Sequence, residues 1–530
     1  MSSQHVYLRP DVIAEPLFNR WYAWPYLIAP ASAAMYTANA HLKLMRSFVE
    51  APEIHVAALQ RPEMLGGPFL GCDPSRSEEV EALADGIARE HGQLLAFAEA
   101  VKSLDKLLEQ DTQGQSLEPL YAKVPRLLRG YVELVYDANN RPSFRFLEGL
   151  LYRSPFYDRS CQSLSLLRAR GDSRPFAFST PRLSDDSRLE LPLPFETPAL
   201  DELFAMRRTP GPLAPLAEKL GIAPQDARRF ASLFTPEPPA PCTAWEGPGT
   251  RIRYFGHACL LFESRDVSIL VDPVISYQAD TAVPRYSFED LPETIDYVLL
   301  THNHQDHVLF ETLLPLRHKV RHVVVPQSAG GSLVDPSLRL ILRHTGFTQV
   351  LELGEFESLR IPGGSITSLP FLGEHGDLDI RTKSTYLLEL GGQRSFIGAD
   401  LNNLEPAFYE HVHALTGDVD RLFLGLECDG APLSWLYGPL LCKPLGRKMD
   451  QSRRLNSSDF PKTRELVERL NPREVYVYAM GQEPWLTHLT ALQYTETSKP
   501  ILEARRLIDH CRAQGRQALN LFGKHDLHLS

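Results

Sequence analysis

The residues best suited to chemistry form one cluster, in which three histidines and one aspartate fall between positions 302 and 307. The apolar run at 295–300 is typical of a buried strand, so the cluster is predicted to lie in the loop that ends this strand. Side chains two apart in extended backbone point the same way, so His302 and His304 can bind one cation together. Asp306 and His307 follow after the chain turns and can bind a second cation. A polar loop with scattered histidines is the alternative, and the H-x-H-x-D-H spacing favours the metal site.

Two further carboxylates follow strand-like runs in the same way. The run at 366–372 leads to Glu374, with His375 beside it, and the run at 394–399 leads to Asp400. A carboxylate at a strand end is a candidate metal ligand in a chain that already carries a metal cluster. The alternative is a residue that caps a turn or a helix. We predict that Glu374 and Asp400 are both metal ligands and catalytic residues, and that a carboxylate reaching both cations would bridge them.

The elements that position these residues occupy the second part of a long chain. With 530 residues, the chain is too long for one core and is expected to form two or more domains. Residues 1–235 are predicted to form a mixed α+β domain, with a helical pattern at 78–110 that Gly86 or Gly92 interrupts and a hairpin at 132–146. Residues 236–249 are a proline-rich linker, and residues 250–530 form the metal-binding domain. No catalytic constellation occurs in the first half, so partner binding, homodimerisation or covering of the second domain is expected there.

Composition excludes several classes of function. Hydrophobic residues make up 43% and charged residues 23% of the chain, as in ordinary globular proteins. The net charge of −11 disfavours nucleic acid as a partner. The seven cysteines are dispersed without a C-x-x-C pair, and no signal peptide or membrane span is evident, which together predict a cytoplasmic protein without a membrane partner.

From about residue 250 onward the sequence resembles the metallo-β-lactamase superfamily. The matching pieces are Gly256-His257-Ala258, Asp272-Pro273, the cluster at 302–307, the pair at 374–375 and Asp400. The resemblance implies an αββα sandwich with a two-metal site at one edge, preceded here by the mixed α+β domain. It also implies that Asp272 is a buried aspartate that supports the metal loop without binding metal. The last ligand of the family is a late histidine after a strand; here His488, ten residues beyond the run at 474–478, is the nearest one, and a plain surface histidine is the alternative.

A closer resemblance comes from residues 371–377, which look like the corresponding stretch of the diiron β-hydroxylases of chloramphenicol biosynthesis. Chain length, the large first domain and the order of ligands also agree. The resemblance implies that Glu374 binds metal where most of the superfamily has histidine, although a shift of one residue would make His375 the ligand. It further implies two Fe ions that use O2 to hydroxylate the β-carbon of an amino acid. That amino acid is held as a thioester on a carrier domain of a nonribosomal peptide synthetase.

The proposed ligands give an independent reason to favour iron. Three carboxylates beside three imidazoles form a harder donor set than the nitrogen-rich sites that suit zinc. O2 chemistry needs two external electrons, and the sequence contains no glycine-rich dinucleotide fingerprint between a strand and a helix, so a separate electron donor or reductase is expected. The main alternative is an enzyme with two Zn ions that hydrolyses a thioester, lactone or phosphoester, and it would favour His375. A binding protein with an inert metal site is a second alternative.

The segment between Asp400 and the late strand contains candidate substrate-binding residues. Trp435 and Tyr437 could line a substrate pocket, although packing in the core is the better-supported alternative for either aromatic side chain. A basic patch then follows in this acidic protein, formed by Lys443, Arg447, Lys448, Arg453 and Arg454. Because carrier domains are usually acidic, the patch is a candidate docking surface, whereas most charge runs are simply solvated.

Overall fold

The structure is a computed structural model that describes residues 5–242 and 245–528. Positions 243 and 244 of the predicted linker lie outside the described residues. The strands of the first half are β1 (His5–Leu8), β2 (Val12–Phe18), β3 (Trp21–Tyr22), β4 (Val132–Tyr136), β5 (Pro142–Phe146), β6 (Gln162–Arg168), β7 (Leu189–Leu191), β8 (Gly211–Pro212) and β9 (Phe234–Thr235). Its α-helices are α1 (Pro25–Ile28), α2 (Pro30–Tyr36), α3 (Leu42–Glu50), α4 (Pro52–Leu59), α5 (Ser77–Glu90), α6 (Gly92–Asp111), α7 (Glu148–Leu151), α8 (Pro198–Ala205), α9 (Leu213–Lys219) and α10 (Ala227–Ala231).

The second half begins with a strand at Arg251 and ends with a strand at His528. Its strands are β10 (Arg251–Gly256), β11 (Cys259–Glu263), β12 (Ser268–Val271), β13 (Ile295–Leu299), β14 (Val320–Pro326), β15 (Val350–Leu353), β16 (Ser358–Ile361), β17 (Gly364–Leu369), β18 (Thr385–Leu390), β19 (Gln393–Ile397), β20 (Arg421–Leu424), β21 (Glu474–Val477), β22 (Gln517–Asn520) and β23 (His525–His528). Its α-helices are α11 (Phe310–Leu316), α12 (Leu338–His344), α13 (Pro406–Thr416), α14 (Leu433–Leu436), α15 (Arg447–Ser452), α16 (Phe460–Leu470), α17 (Thr487–Thr490) and α18 (Lys499–Ala513).

The second half is an αββα sandwich, as predicted. One seven-stranded sheet has the order β15-β14-β13-β12-β11-β10-β23, and the other has the order β16-β17-β18-β19-β20-β21-β22. Alternate residues of β10 and β11, such as Tyr254, Leu260 and Phe262, pack between the sheets, because successive strand residues point to opposite faces. Helices α13, α16 and α18 cover the outer face of the second sheet. Helices α11 and α12 cover the first sheet together with helices of the first half.

The first half is a mixed α+β structure, also as predicted. It contains a four-stranded sheet of order β3-β2-β6-β7, the hairpin β4-β5 and a small sheet of order β8-β1-β9. The predicted helical region forms α5 and α6, which separate at His91, next to Gly92, whereas Gly86 lies within α5. Strand β9 ends at Thr235 and β10 begins at Arg251, on either side of the predicted linker, whose role as a domain boundary stays a prediction.

The two halves share buried contacts. Helix α11 packs against β2, and the guanidinium of Arg174 lies 2.6 Å from Glu15 Oε1 on β2 and 2.7 Å from Glu311 Oε2 on α11. Since α11 begins three residues after His307, this buried ion-pair network connects the first half to the helix that follows the metal loop. Within the described ranges, no helix combines the length and the apolar character that a membrane crossing requires.

Candidate metal centre

The candidate ligands lie where neighbouring strands end. Strands β12 and β13 are parallel, so their carboxyl ends lie at the same edge of the first sheet. Asp272 follows β12 directly, and residues 301–307 follow β13. In the second sheet, β19 leads to Asp400, and β17 leads through Pro370 to the loop that contains Glu374. The edge at which the two sheets meet therefore carries all six sequence-predicted ligands that precede residue 401.

Asp272 holds the metal loop in place. Its carboxylate accepts hydrogen bonds from the Thr301 backbone N–H at 2.8 Å and from the Thr301 hydroxyl at 2.6 Å. Its Oδ2 also lies 2.8 Å from Nδ1 of His307. Asp272 is fully buried and has a left-handed backbone with φ of 37°, a conformation that persists only where the surroundings enforce it. An Nδ1–H donated to Asp272 leaves the Nε2 lone pair of His307 available, as in metal sites where a carboxylate orients the ligand histidine.

The first group of candidate ligand atoms surrounds Glu374. Atoms of His302, His304, Glu374 and His375 all lie within 4.8 Å of one another. Glu374 Oε1 lies 2.7 Å from Nδ1 of His304, and Oε2 lies 3.8 Å from Nε2 of His302. Nδ1 of His375 lies 3.0 Å from Glu374 Oε2, so both members of the ambiguous pair reach this group. The glutamate carboxylate is the one that lies between the imidazoles.

A second group lies beside the first and shares His302 with it. His302, His307 and Asp400 again have atoms within 4.8 Å of one another. Asp400 Oδ2 lies 3.0 Å from Nε2 of His307 and 3.9 Å from Nε2 of His302. Asp306 is joined to this group through His307 and lies 3.3 Å from Nε2 of His257. Asp400 thus lies next to His307 and near His302, the histidine that the two groups share.

His257 is a residue of the site that the sequence analysis did not assign. It is buried, follows β10 directly and has a left-handed backbone with φ of 50°. Its Nδ1 accepts a hydrogen bond from the Gly481 N–H at 3.1 Å, which turns Nε2 toward Asp306. A histidine placed immediately after a strand, like the metal cluster itself, was the available sequence signal.

Burial and closely spaced charged groups shift the pKa values of the candidate ligands. Burial by itself raises the pKa of Glu374, but the imidazoles of His304 and His375 outweigh it and hold the pKa well below the usual value. Burial raises the pKa of Asp400, and the neighbouring His307 offsets this effect only in part. Burial also lowers the pKa of His302. Cations placed among these groups would favour ionised carboxylates and neutral imidazoles, which are the forms that bind metal.

Orphaned polar atoms provide the test of whether metal ions fit. Considering the described residues, His302 Nε2, Glu374 Oε2, Asp400 Oδ1 and His375 Nε2 are buried and have no hydrogen-bond partner. Buried polar atoms are normally satisfied, so several unsatisfied atoms converging on one place indicate a missing ligand. The atoms are carboxylate oxygens and imidazole nitrogens, a mixed donor set that suits iron. The residues therefore fit a pair of metal ions.

Tyr437 supports the first group from the other side. Its hydroxyl lies 2.8 Å from Nε2 of His304, the ring nitrogen opposite the one that faces Glu374. Tyr437 is fully buried and packs edge-on against Tyr26 with ring centroids 5.9 Å apart. Tyr26 in turn lies 3.4 Å from the side-chain oxygen of Asn303. A residue of the first half therefore reaches the metal loop, and Tyr437 positions the ring of His304 from the side opposite Glu374.

His488 lies outside these groups. It is on α17, buried, with its Nε2 3.9 Å from Glu311 Oε2 and its ring 6.4 Å from that of Tyr22. A short helical turn at Pro484–Leu486 leads the chain away from the end of β21 and toward the interface between the halves. The alternative of a surface histidine is wrong, because only 3% of the residue is exposed.

The fold and the paired ligand groups define a dimetal protein of the metallo-β-lactamase fold. Residues 251–399 match the beta-lactamase superfamily domain. Residues 7–238 match the N-terminal domain of diiron non-heme beta-hydroxylases. Together with the similarities to individual proteins described below, these matches show that the chain belongs to the diiron β-hydroxylases, a family of monooxygenases with two iron ions. The resemblance found in the sequence is thereby confirmed, as is iron rather than zinc as the family's metal.

Individual relatives cover the whole chain. The 4-amino-L-phenylalanyl-[CmlP-peptidyl-carrier-protein] 3-hydroxylase of Streptomyces venezuelae is 41% identical over 529 residues, which are 98% of this chain and 99% of the relative. The crystal structure of CmlA, a diiron beta-hydroxylase from Streptomyces venezuelae, has a TM-score of 0.93 and 40% identity, with 100% of both chains covered. A mutant of the CmlA beta-hydroxylase has a TM-score of 0.90 at 40% identity, covering 99% of this chain and 100% of its own.

Proposed function

We propose that this protein hydroxylates the β-carbon of an amino acid held as a thioester on a carrier domain of a nonribosomal peptide synthetase. The family supplies the reaction class, and the full-length relative named for a carrier-bound aminoacyl substrate supports the substrate class. The observation that carries the proposal is the position of Glu374 between the imidazoles of His302 and His304. A carboxylate there makes the donor set harder than that of a zinc hydrolase.

The proposed ligands divide between two ions. His302, His304 and Glu374 would hold one ion, Asp306 and His307 would hold the other, and Asp400 would bridge them. His488 is left out of this proposed set, because Glu311 and Tyr22 are its neighbours. His375 and His257 remain beside the ligands, where their imidazoles can orient the Glu374 and Asp306 carboxylates.

The chain's own groups prepare the site for oxidation of a carbon–hydrogen bond. Two bound irons would supply the activation of O2. Asp272 holds His307 in the tautomer that leaves the Nε2 lone pair toward the ions, and the Tyr437 hydroxyl contacts Nε2 of His304 and helps to orient its ring. The burial of both ligand groups excludes bulk water, which protects an oxidising site from side reactions. The two electrons that hydroxylation requires would come from a separate reductase or other external donor, since the sequence has no dinucleotide fingerprint.

Partner contacts form the outer part of the proposal. Within the predicted basic patch, Arg447 and Lys448 on α15 are exposed, and the described residues include no ion-pair partner for either. Arg453 instead donates a hydrogen bond from Nε to the backbone oxygen of Gly376, 2.7 Å away. The exposed pair is therefore the better candidate for contact with an acidic carrier domain. Dimerisation through the first half stays a prediction, which sedimentation of the purified protein would test.

The test combines metal content, optical spectrum and product mass. We expect roughly two irons per chain, as the paired ligand groups imply, and a product heavier than the substrate by one oxygen when an aminoacyl carrier, O2 and a reductant are supplied. Glu374→His should change the iron content and the spectrum, whereas Glu355→His, at an exposed position of the same domain, should leave both unchanged. Zinc in place of iron, with hydrolysis of the thioester and no effect of Glu374→His, would establish the dizinc hydrolase with His375 as ligand.

A further inference from the structure

A second cluster of metal-binding side chains lies in the first half of the molecule. His91, Asp158 and Cys161 each offer one ligand atom, and these atoms all lie within 4.8 Å of one another. All three residues lie outside the two ligand groups described above. We propose that this cluster binds one zinc ion, which clamps the junction of α5 and α6 to the start of β6. The proposal concerns a site separate from the iron centre and is independent of the hydroxylation reaction.

The local backbone brings the three side chains together. His91 directly follows α5 and directly precedes α6, so it lies at the break between the two helices. Asp158 caps the short helical turn Arg159–Cys161, because its Oδ1 accepts hydrogen bonds from the backbone N–H and the hydroxyl of Ser160 at 2.9 and 2.6 Å. Cys161 ends that turn directly before β6. Oδ2 of Asp158 and the sulfur of Cys161 are thereby presented to His91, 67 and 70 positions away.

The distances between the ligand atoms match those around a tetrahedral zinc ion. Nδ1 of His91 lies 3.2 Å from Asp158 Oδ2 and 3.4 Å from Cys161 Sγ. Zinc lies about 2.0 to 2.1 Å from a histidine nitrogen, about 2.0 to 2.2 Å from a carboxylate oxygen and about 2.3 Å from a thiolate sulfur. At tetrahedral angles, these bond lengths place the nitrogen about 3.4 Å from the oxygen and about 3.6 Å from the sulfur. The observed separations are each about 0.2 Å shorter, so small side-chain movements would admit the ion.

The arrangement differs from that of a catalytic triad. In a triad, the imidazole lies between its partners, with the carboxylate at one ring nitrogen and the nucleophile at the other. Here Asp158 and Cys161 both approach Nδ1 of His91, and Nε2 lies farther from the sulfur, at 3.8 Å. A single N–H serves only one of two acceptors with good geometry, whereas a cation accepts a lone pair from all three groups. Cys161 is also only 4% exposed, which places its sulfur out of reach of a substrate.

The donor atoms favour zinc over harder cations. Thiolate and imidazole are soft and borderline ligands, whereas magnesium and calcium prefer oxygen. Burial by itself raises the pKa of Asp158, but the hydrogen bonds from Ser160 and the nearby His91 outweigh it and lower the pKa, so the carboxylate is ionised at neutral pH. The Cys161 thiol releases its proton to solvent when the sulfur binds the ion. The side chain of Asp158 is 35% exposed, so water can supply the fourth ligand.

A bound ion would connect the helices of the first half to its sheet. His91 lies between α5 and α6, and Cys161 leads into β6, which pairs with β2 along its whole length. A cation that binds the folded protein and not the unfolded chain raises the free energy of unfolding. Zinc is therefore expected to raise the thermal midpoint of the iron-loaded protein.

The experiment uses cobalt(II) as the probe in the iron-loaded, full-length protein. A cobalt–thiolate bond gives a near-ultraviolet charge-transfer band that imidazole and carboxylate ligands do not give. The candidate iron ligands include no cysteine, so the band reports on the proposed zinc site. We expect one cobalt per chain to produce the band and zinc, which binds more tightly, to displace the cobalt and remove it. Cys161→Ser should lose the band, whereas Cys72→Ser, at a half-buried cysteine of the same half, should keep it.

A second pair of variants separates metal binding from local folding. Asp158→Asn keeps an oxygen that accepts the hydrogen bonds from Ser160 and replaces Oδ2 by an NH2 group. It should weaken cobalt binding by about 100-fold or more, abolish the zinc-dependent rise of the thermal midpoint and leave the circular dichroism unchanged. Asp185→Asn alters the same kind of turn, in which Asp185 accepts hydrogen bonds from Ser187, and should bind cobalt like the wild type.

The same measurements show how the proposal would fail. A wild-type protein without the charge-transfer band would overturn it, as would a band and an affinity that Cys161→Ser and Asp158→Asn leave unchanged. A thermal midpoint that zinc does not raise in the wild type would overturn the role of the ion as a clamp.

Discussion

Replacing Asp272 with asparagine should release metal while leaving the fold intact. The change is nearly isosteric, and the amide oxygen can still accept the hydrogen bond from the Thr301 N–H, now 2.8 Å from Oδ1. The amide NH2 would then replace Oδ2, which lies 2.8 Å from Nδ1 of His307. Two donors would face each other, so His307 would move its proton to Nε2. That nitrogen faces Asp400 Oδ2 at 3.0 Å and would no longer offer a lone pair to a cation.

The expected magnitude follows from the role of such supporting carboxylates. Loss of a partner that orients a ligand histidine typically lowers metal affinity about 10- to 100-fold, or about 1.4 to 2.7 kcal/mol. Iron retained against increasing chelator concentration measures this quantity, and circular dichroism checks the fold. Asp266→Asn changes the same chemical group at an exposed turn of the same domain and should retain iron like the wild type. Equal retention in Asp272→Asn and the wild type would show that Asp272 does not control the His307 tautomer.

Three further predictions concern stability and partner binding. Arg174→Ala leaves two buried glutamates without their shared cation, so it should lower the free energy of unfolding by about 3 to 5 kcal/mol and lower the urea midpoint. The control Arg265→Ala, at an exposed position, should leave the midpoint unchanged. Equal midpoints for the two variants would contradict the prediction. Burial lowers the pKa of His41 to about 3. As the pH falls, this histidine therefore becomes protonated in the unfolded chain before it does so in the folded protein. The free energy of unfolding is therefore highest above pH 6.5 and decreases by about 2 kcal/mol as the pH falls from 6.5 to 5. His41→Gln should remove this part of the pH dependence from denaturation curves. Curves with the same pH dependence in the variant and the wild type would refute the prediction. Reversing the charge of Arg447 and Lys448 should weaken carrier binding, most strongly at low salt. If the variant and the wild type bind the carrier equally well at every salt concentration, these two residues are not part of the docking surface.

The metal loop could be predicted from sequence because its information is local. His302 to His307 lie within one loop, and an apolar strand before them fixes where that loop lies. Glu374 was harder, since His375 is its neighbour and a shift of one residue exchanges their directions; left-handed backbone at Glu374, with φ of 69°, is what turns its carboxylate toward the imidazoles. A single sequence does not predict a left-handed backbone conformation at a glutamate.

The remaining parts of the site depend on contacts between distant segments. Tyr437 touches His304 across 133 positions, and Tyr26 reaches Asn303 across 277. A single sequence carries no signal for such pairs, and aromatic residues in an insert are most often packed in a core. His488 illustrates the reverse problem: its type and its position after a strand suggested a ligand, but the short turn at Pro484–Leu486 leads it elsewhere. The number of residues between a strand and a histidine therefore predicts a ligand only when no turn redirects the chain between them.

These long-range contacts connect the first half to the elements that carry the metal loop. It provides Glu15 to the ion-pair network that holds α11 and provides Tyr26 behind the ligand loop. It also provides most of the lining of a cavity of about 620 Å³, whose remaining lining includes Ser434, Trp435 and Leu436 of the second half. The loop between β13 and α11 carries four of the candidate ligands, so the contacts that hold α11 also fix the end of this loop. The sandwich supplies the candidate ligands, and side chains of both halves pack around the loop that carries four of them.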